Sequence, residues 1–330
     1  MSTLATMRSF LGDPAPTSVE RVRSLDARGL SSRLTTLALD EAVRDELLAH
    51  WDETRASPRW ASLLASLVEC VERDRGNIDA PIPIWPDLND DGPSGRLLYY
   101  YLFALQVEEL AAYHDSLGLP EDVHRDTLGA LARHGETHRR QHASVGVDAG
   151  WWMLPILRGE LMQVRSLKFH RVHLERGTLA PRPWLDEASA RSRGAGFLPG
   201  DESLGVHIPA RIDLSPAALD ATWERAREVL GRVWPHPSRR LATCQSWMMD
   251  ERLVAALGPT SNIVRFQQRF ELIDPYEDDV TTVAYFVFGA AAAAAGLAHV
   301  TPTSRVQRVV LETLRDGGTW HNRTGWLDFD

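Results

Sequence analysis

His207, Arg211, Ser215, Cys244 and Ser246 carry the groups from which acid, base or nucleophilic chemistry could be built in this chain. His207 stands in Leu204-Gly-Val-His-Ile-Pro209, a short apolar run that reads as a strand. Proline at 209 ends the hydrogen-bonded ladder and can splay the strand from its neighbour. A histidine at such an opening suits a general base, because its pKa lies near neutrality, and a structural hydrogen-bonding role fits the same position. Cys244 and Ser246 lie in Leu241-Ala-Thr-Cys-Gln-Ser-Trp247, where a strand puts both on one face. Cys244 could act as a nucleophile, but no neighbour in sequence lowers its pKa, and a free thiol is often simply buried. Neither residue sits in G-x-S-x-G, which argues against a hydrolase nucleophile elbow.

A second cluster is His134, His138 and His142, whose spacing puts all three on one face of a continuous helix. Imidazole is a common zinc ligand. In His134-Gly-Glu-Thr-His138, however, the glutamate stands one place too late for H-E-x-x-H, and Gly135 weakens the helix. The three read as a solvated histidine-rich face, and no metal is expected. Cys70 and Cys244 are too far apart in sequence for a metal or redox pair. The chain lacks G-x-x-x-x-G-K-[ST] and G-x-G-x-x-G, the marks of nucleotide hydrolysis and of a dinucleotide fold.

The elements that must position these residues run from Leu204 to Leu272. A strand ends near Pro209, a helix capped by Ser215 buries Leu219, Trp223, Ala226 and Leu230, and a second strand covers Leu241–Trp247. A short helix from about Asp250 and a long strand over Asn262–Leu272 follow. Alternating strands and helices build a sheet that places ligands beyond the carboxyl ends of its strands, near the N–H groups of a following helix. Further on, the pattern predicts an acidic loop over 274–279, a strand over 281–288 and a buried small-residue helix across the alanines at 290–295. A helix from Thr303-Ser304 to Gly317-Gly318 and an edge strand within 320–329 close the chain.

Upstream, residues 161–174 alternate as one strand with a wet face, and 175–201 form a long surface connection. Helical periodicity dominates before that, with helices from Asp40, from Ser57-Pro58, over 95–117 and over 120–135. Residues before about 35 read as a loosely held start, and Pro81–Pro86 as an extended crossing. The shift in composition at Gly150-Trp151-Trp152 divides the chain into a helical domain, 1–150, and a sheet domain, 151–330.

Length supports two such domains, since 330 residues exceed the usual single core. A net charge of -9 speaks against nucleic acid or an anionic membrane as partner, both of which call for clustered Lys and Arg. The closest approach to a membrane span, 283–300, is broken by Gly289, Gly296 and His299. No apolar signal core opens the chain, so a cytoplasmic protein with reduced cysteines is expected.

Taken in order, Leu204-Gly-Val-His-Ile-Pro209, Cys244-Gln-Ser-Trp-Met-Met-Asp250 and Ser261-Asn-Ile-Val-Arg-Phe-Gln-Gln-Arg-Phe-Glu271 resemble a bacterial family of acyltransferase-domain proteins. Trp151-Trp152, Gly159 to Phe169, Thr303-Ser-Arg-Val-Gln-Arg308 and Thr324-Gly-Trp-Leu327 extend the resemblance along most of the chain. It implies an α+β protein: a helical N-terminal domain, then a GNAT-like mixed β-sheet domain with flanking helices. In the GNAT fold the fourth and fifth strands splay apart, and the pantetheine arm of an acyl-CoA slips between them. The next helix then holds the pyrophosphate at its N-terminus.

By this resemblance His207 ends the fourth strand as base, and Ile208, Pro209, Arg211 and Ser215 bind the acyl-CoA cosubstrate. The acceptor is an amine of a small molecule or peptide, which attacks the thioester directly. Two departures stand out. The phosphate loop [RQ]-x-x-G-x-[GA] is replaced by Pro209-Ala-Arg-Ile-Asp-Leu-Ser215, without glycine, and no tyrosine follows the fifth strand to protonate the leaving thiolate. Ser246 or Cys244 would have to substitute for that tyrosine. The rival reading is a non-catalytic binding or regulatory protein that keeps the GNAT shape.

Overall fold

A computed structural model describes residues 11–81, 88–174, 184–194, 197–235 and 241–329. They belong to two compact units, Met1–Gln163 and Val164–Asp330. The first unit is helical: α1 (Pro16–Ser24), α2 (Ala27–Leu34), α3 (Glu41–Ala56), α4 (Pro58–Arg73), α5 (Gly92–Arg96), α6 (Leu98–Ser116), α7 (Glu121–Leu128), α8 (Ala130–His142) and α9 (Leu154–Leu157). Its centre is α6, buried at every position from Leu98 to Val107, which identifies it as a core helix rather than an amphipathic surface one. Against it α4 lays Leu63, Leu64, Leu67, Val68 and Val71, the stripe legible in the sequence.

Several expectations for this unit are corrected. The start is not loose from residue 16 onward. Val22, Leu30 and Leu34 are buried, Asp26 caps α2, and Trp51 Nε1 donates to the Leu25 carbonyl at 2.7 Å. Two short polar-rich helices show too little apolar stripe to be heard as periodicity. The expected crossing at Pro81–Pro86 lies almost wholly outside the described residues. The composition change at Gly150 precedes the boundary between the compact units, because Met153, Leu154, Ile156 and Leu157 still fill the first core. The histidine face is not solvated throughout: His138 is 1% exposed. Elsewhere in the unit, His114 Nδ1 meets His124 Nδ1 at 2.8 Å. Burial, reinforced by the His124 and Arg75 charges, pushes the His114 pKa down to about 3.

The second unit carries strands β1 (Leu161–Val164, which spans the boundary), β2 (Leu167–His173), β3 (Glu202–His207), β4 (Leu241–Ser246), β5 (Glu271–Asp278) and β6 (His321–Asp328). Their order is β1-β2-β3-β4-β6-β5, with β3 and β4 parallel and the pairs β2/β3, β4/β6 and β5/β6 antiparallel. Its helices are α10 (Glu187–Ser192), α11 (Pro216–Val233), α12 (Arg252–Leu257), α13 (Asn262–Gln267), α14 (Val280–Phe288), α15 (Ala290–Ala294) and α16 (Arg305–Arg315).

Here the predicted β3, α11, β4, α12 and α16 are present, and the region between α12 and α16 differs. Asn262–Gln267 is a helix, and the strand falls on the acidic stretch Glu271–Asp278 instead. That strand lies at the sheet edge, where charged side chains stay in water and deter further pairing. Residues 280–288 are helical because Asp279 caps them, accepting from Thr282 N at 2.8 Å. The alanine helix α15 buries none of its residues. Alanine's helix propensity, not burial, accounts for it. The strand expected at an edge, β6, is interior, between β4 and β5. The single strand expected over 161–174 is two, β1 and β2, separated by a turn in which Arg165 takes a left-handed φ of 50°. Part of the 175–201 connection lies outside the described residues. The rest is no mere surface link, for Trp184, Leu185, Ala190 and Phe197 pack with Leu241 and Ile273.

Candidate active site

Two joints of the sheet are long and antiparallel, and the parallel joint between them is short among the described residues. Between β2 and β3 six residue pairs face each other, from His173↔Glu202 to Lys168↔His207. Between β4 and β6 there are six more, from Leu241↔Asp328 to Ser246↔Arg323. Among the described residues the parallel joint of β3 and β4 holds the pairs Leu204↔Ala242 and Gly205↔Thr243. Past these pairs β3 runs on to His207 and β4 to Ser246. Every second residue of a strand directs its N–H and C=O to a given edge, so β3 and β4 each present backbone polar groups toward this joint. Pro209, two residues past His207, has no N–H with which to re-form the ladder.

The register also sorts the side chains by face. Gly205 stands opposite Thr243 and His170, so His207 shares its face with Gln245, Thr243, His170 and Lys168. The His207 and His170 rings lie 5.6 Å apart, and the His207 Nε2 sits 3.7 Å from where a Cβ on Gly205 would be. On the far side of the seam Gln245 Nε2 donates to Glu277 Oε2 at 3.0 Å, placing a carboxylate on this same face.

Cys244 and Ser246 belong to the other face, with Val206 and Phe169. Helix α11 covers that face: Phe169 and Phe329 meet the Trp223 ring edge-on at 5.5 and 5.9 Å. Cys244, 1% exposed, is paired with Gly325, where a Cβ would come within 2.8 Å of Met249 Cε and 2.7 Å of Phe270 Cβ. It sits in a packed core, away from His207. Ser246, at the strand end, is half-buried, and its Oγ accepts from Met248 N at 3.1 Å to start the turn Trp247–Met249. The hydroxyl proton is left to donate.

The loop from β3 to α11 has no glycine, yet one of its residues takes a backbone conformation that glycine favours. Arg211, exposed, takes φ +62°, the left-handed conformation that glycine favours. Ser215 caps α11, its Oγ accepting from Ala218 N at 3.4 Å, and Pro216 opens the helix. Asp213 accepts from Ser215 N at 2.7 Å and from Ser215 Oγ at 2.9 Å, so its negative charge lies at the helix N-terminus. A cation also stands there that the sequence reading passed over. Arg269 donates to Asp220 Oδ1 at 2.6 Å and to the Pro216 carbonyl at 3.5 Å, on the first turn of α11. Reading 262–272 as one strand hid Arg269. Reading 274–279 as a loop hid Glu277.

Residues 29–159 match the N-acyltransferase N-terminal domain family, and residues 138–327 match the GNAT-like C-terminal domain family. No curated protein matches the chain. Among solved structures, an acyltransferase in complex with decanoyl-CoA and teicoplanin is 25% identical, with a TM-score of 0.76 and 99% of each chain covered. An acyltransferase in complex with CoA and 10C-teicoplanin is 24% identical, with a TM-score of 0.76 and 99% of each chain covered. A third, in complex with decanoyl-CoA, is 22% identical at a TM-score of 0.75, covering 98% of this chain and 99% of that one. The parallel joint followed directly by a capped helix agrees with these matches, and the chain belongs to the two-domain acyltransferase family with an N-acyltransferase N-terminal domain and a GNAT-like C-terminal domain.

Proposed function

We propose that this protein moves an acyl group from an acyl-CoA to an amine of a small molecule or peptide. The observation that supports the reading is the parallel joint of β3 and β4, which among the described residues holds two register pairs, against six in each flanking antiparallel joint, and leads through Pro209 into a capped helix. A slender pantetheine arm fits along such a joint, accepting and donating hydrogen bonds with its backbone as a third strand would. Ile208 and Pro209 line its exit. The pyrophosphate lies toward the first turn of α11, where Ser215, Arg211 and Arg269 supply a capped helix end and two guanidinium groups.

The acceptor approaches on the face of His207, and Glu277, held by Gln245, attracts its ammonium form, which gives one proton to solvent to become the neutral amine. His207 takes a second proton from that nitrogen as it attacks the thioester carbonyl. Backbone N–H groups of β3 and β4 stabilise the oxyanion. The C–S bond then breaks, the thiolate is protonated by the Ser246 hydroxyl, and the proton held on His207 returns through water to Ser246. Cys244, sealed on the opposite face, takes no direct part. A peptide-like acceptor is the preferred class, since one solved relative is described with teicoplanin beside the acyl-CoA.

Calorimetry with acetyl-, octanoyl- and decanoyl-CoA, coupled to a free-thiol assay with and without added amine, tests the reading. Binding with amine-dependent thiol release is expected. Thiol release that ignores the amine would indicate a hydrolase. No binding of any thioester would favour a non-catalytic GNAT-like protein, a reading to which Asp213 at the helix N-terminus lends some weight.

A further inference from the structure

We propose that His138, His142 and Asp148 of the first unit bind a divalent transition-metal ion, zinc(II) in the first instance, as a structural site. One ring nitrogen each from His138 and His142 and an Asp148 carboxylate oxygen all lie within 4.8 Å of one another. Asp148 Oδ1 is 3.0 Å from His138 Nδ1, and Oδ2 is 3.1 Å from His142 Nε2. Tetrahedral zinc with bonds of 2.0–2.1 Å sets its ligand atoms roughly 3.3 Å apart, so both contacts are close to the edge of such a site. The two imidazoles come from successive turns of α8, their ring centroids 4.4 Å apart. The carboxylate comes from the following loop, not from His134 further up the helix.

The surroundings are those of a built site. His138 is 1% exposed, and its other nitrogen, Nε2, faces Ser144 Oγ at 3.4 Å, the outer hydrogen bond that orients a ligating imidazole. Asn89 Nδ2 donates to Asp148 Oδ1 at 3.3 Å and fixes the carboxylate in turn. Gly146 lets the loop close over the ring: a Cβ there would stand 2.4 Å from His138 Nε2. The cluster lies at the C-terminal end of α8, where the helix dipole favours a cation. The neighbouring cation Arg139 is held by Asp40 and Glu136.

Metal entry conserves protons. The Nδ1 proton of His138 moves to Nε2, toward Ser144 Oγ, and that of His142 moves from Nε2 to Nδ1. His142 is 41% exposed at its side chain, so it can close the remaining distance, and water completes the tetrahedron. The ion would tie the loop 143–148 to the end of α8, a role in the folding of the first unit and not in acyl transfer.

The test uses the untagged full chain, stripped with chelator and desalted, then titrated with zinc(II) and separately with cobalt(II). One tightly held equivalent is expected, with the visible absorption of tetrahedral cobalt and a rise in melting temperature on adding zinc. His142→Ala, at an exposed position, and Asp148→Asn, which keeps the shape of the side chain, should each weaken zinc binding about 10- to 100-fold. Both should remove the melting shift while leaving the metal-free fold intact by circular dichroism. No stoichiometric binding by the unaltered chain, or binding that neither substitution weakens, overturns the site and leaves Asp148 as a carboxylate shared between two imidazole hydrogen bonds.

Discussion

The joint of β3 with β4 and the joints on either side of it are made of the same kind of strand, yet among the described residues one holds two partner pairs and the others hold six each. The flanking joints are antiparallel and end in register, so each half-sheet is a stiff ribbon. The parallel seam joins the two ribbons. On the proposed reading the contrast marks the parallel joint as the place where the acyl-CoA arm would lie, without appeal to any single side chain. It also explains why His207 and Ser246 can both border that joint while lying on opposite faces of the sheet.

The largest expected effect falls on His207. If the seam works as proposed, His207→Ala should slow acyl transfer about 10²-fold or more while leaving acyl-CoA affinity nearly unchanged, because the backbone and not the imidazole lines the arm. Steady-state rates and calorimetry on the same preparation separate the two. Full activity in the variant would remove His207 from the mechanism and leave the parallel joint as a binding site alone.

Acid sensitivity sharpens the comparison further, for the histidine at the seam must be told apart from one buried far from it in sequence. His114 titrates at about 3 in the folded chain, against about 6.5 when unfolded. Above 6.5 it is neutral in both states and has no effect on stability. As pH falls below 6.5 the unfolded chain takes up a proton that the folded chain refuses, and stability is lost down to about 3. Between pH 6.5 and 5.5 the loss is about 1 kcal/mol, the slope for one proton being ~1.4 kcal/mol per unit. Denaturant melts of His114→Gln should lose less stability over that window. The variant should leave the acid limb of the transfer rate, set by His207, where it was. A limb that moves with His114 would show that unfolding, not titration at the seam, limits the rate.

Much of this was legible in the sequence, and for definite reasons. Pro209 announces the end of a ladder, Ser215-Pro216 a capped helix, and Leu63 to Val71 a helical stripe, each a local signal with a local cause. The misread stretches have conflicting local signals. Asn262–Gln267 is too short for its apolar run to separate helix from strand, and the acidic 271–278 is a strand only because it occupies an edge. The pairing of Gln245 with Glu277 and the meeting of Asp148 with His138 join residues whose proximity no spacing encodes. Which face Cys244 takes relative to His207 depends on a register set by the sheet as a whole.

That register yields the smallest prediction and the one most particular to the comparison. Cys244 and Ser246 look interchangeable as sequence, two residues apart on one strand, but Cys244 is 1% exposed opposite Gly325, itself crowded by Phe270 and Met249, while Ser246 stands half-buried at the strand end with its Oγ accepting from Met248 N. Cys244→Ala should therefore lower stability by about 1 kcal/mol through a small cavity and leave the transfer rate within about twofold. Ser246→Ala removes both the turn cap and the donor to the leaving sulfur, so its rate should fall more than its stability does. The two variants measured side by side, by thiol release and by thermal melting, distinguish a wall residue from a seam residue. If Cys244→Ala slowed transfer as much as Ser246→Ala, the working site would have to extend from the strand end down to Cys244, and the distinction between a wall residue and a seam residue would fail.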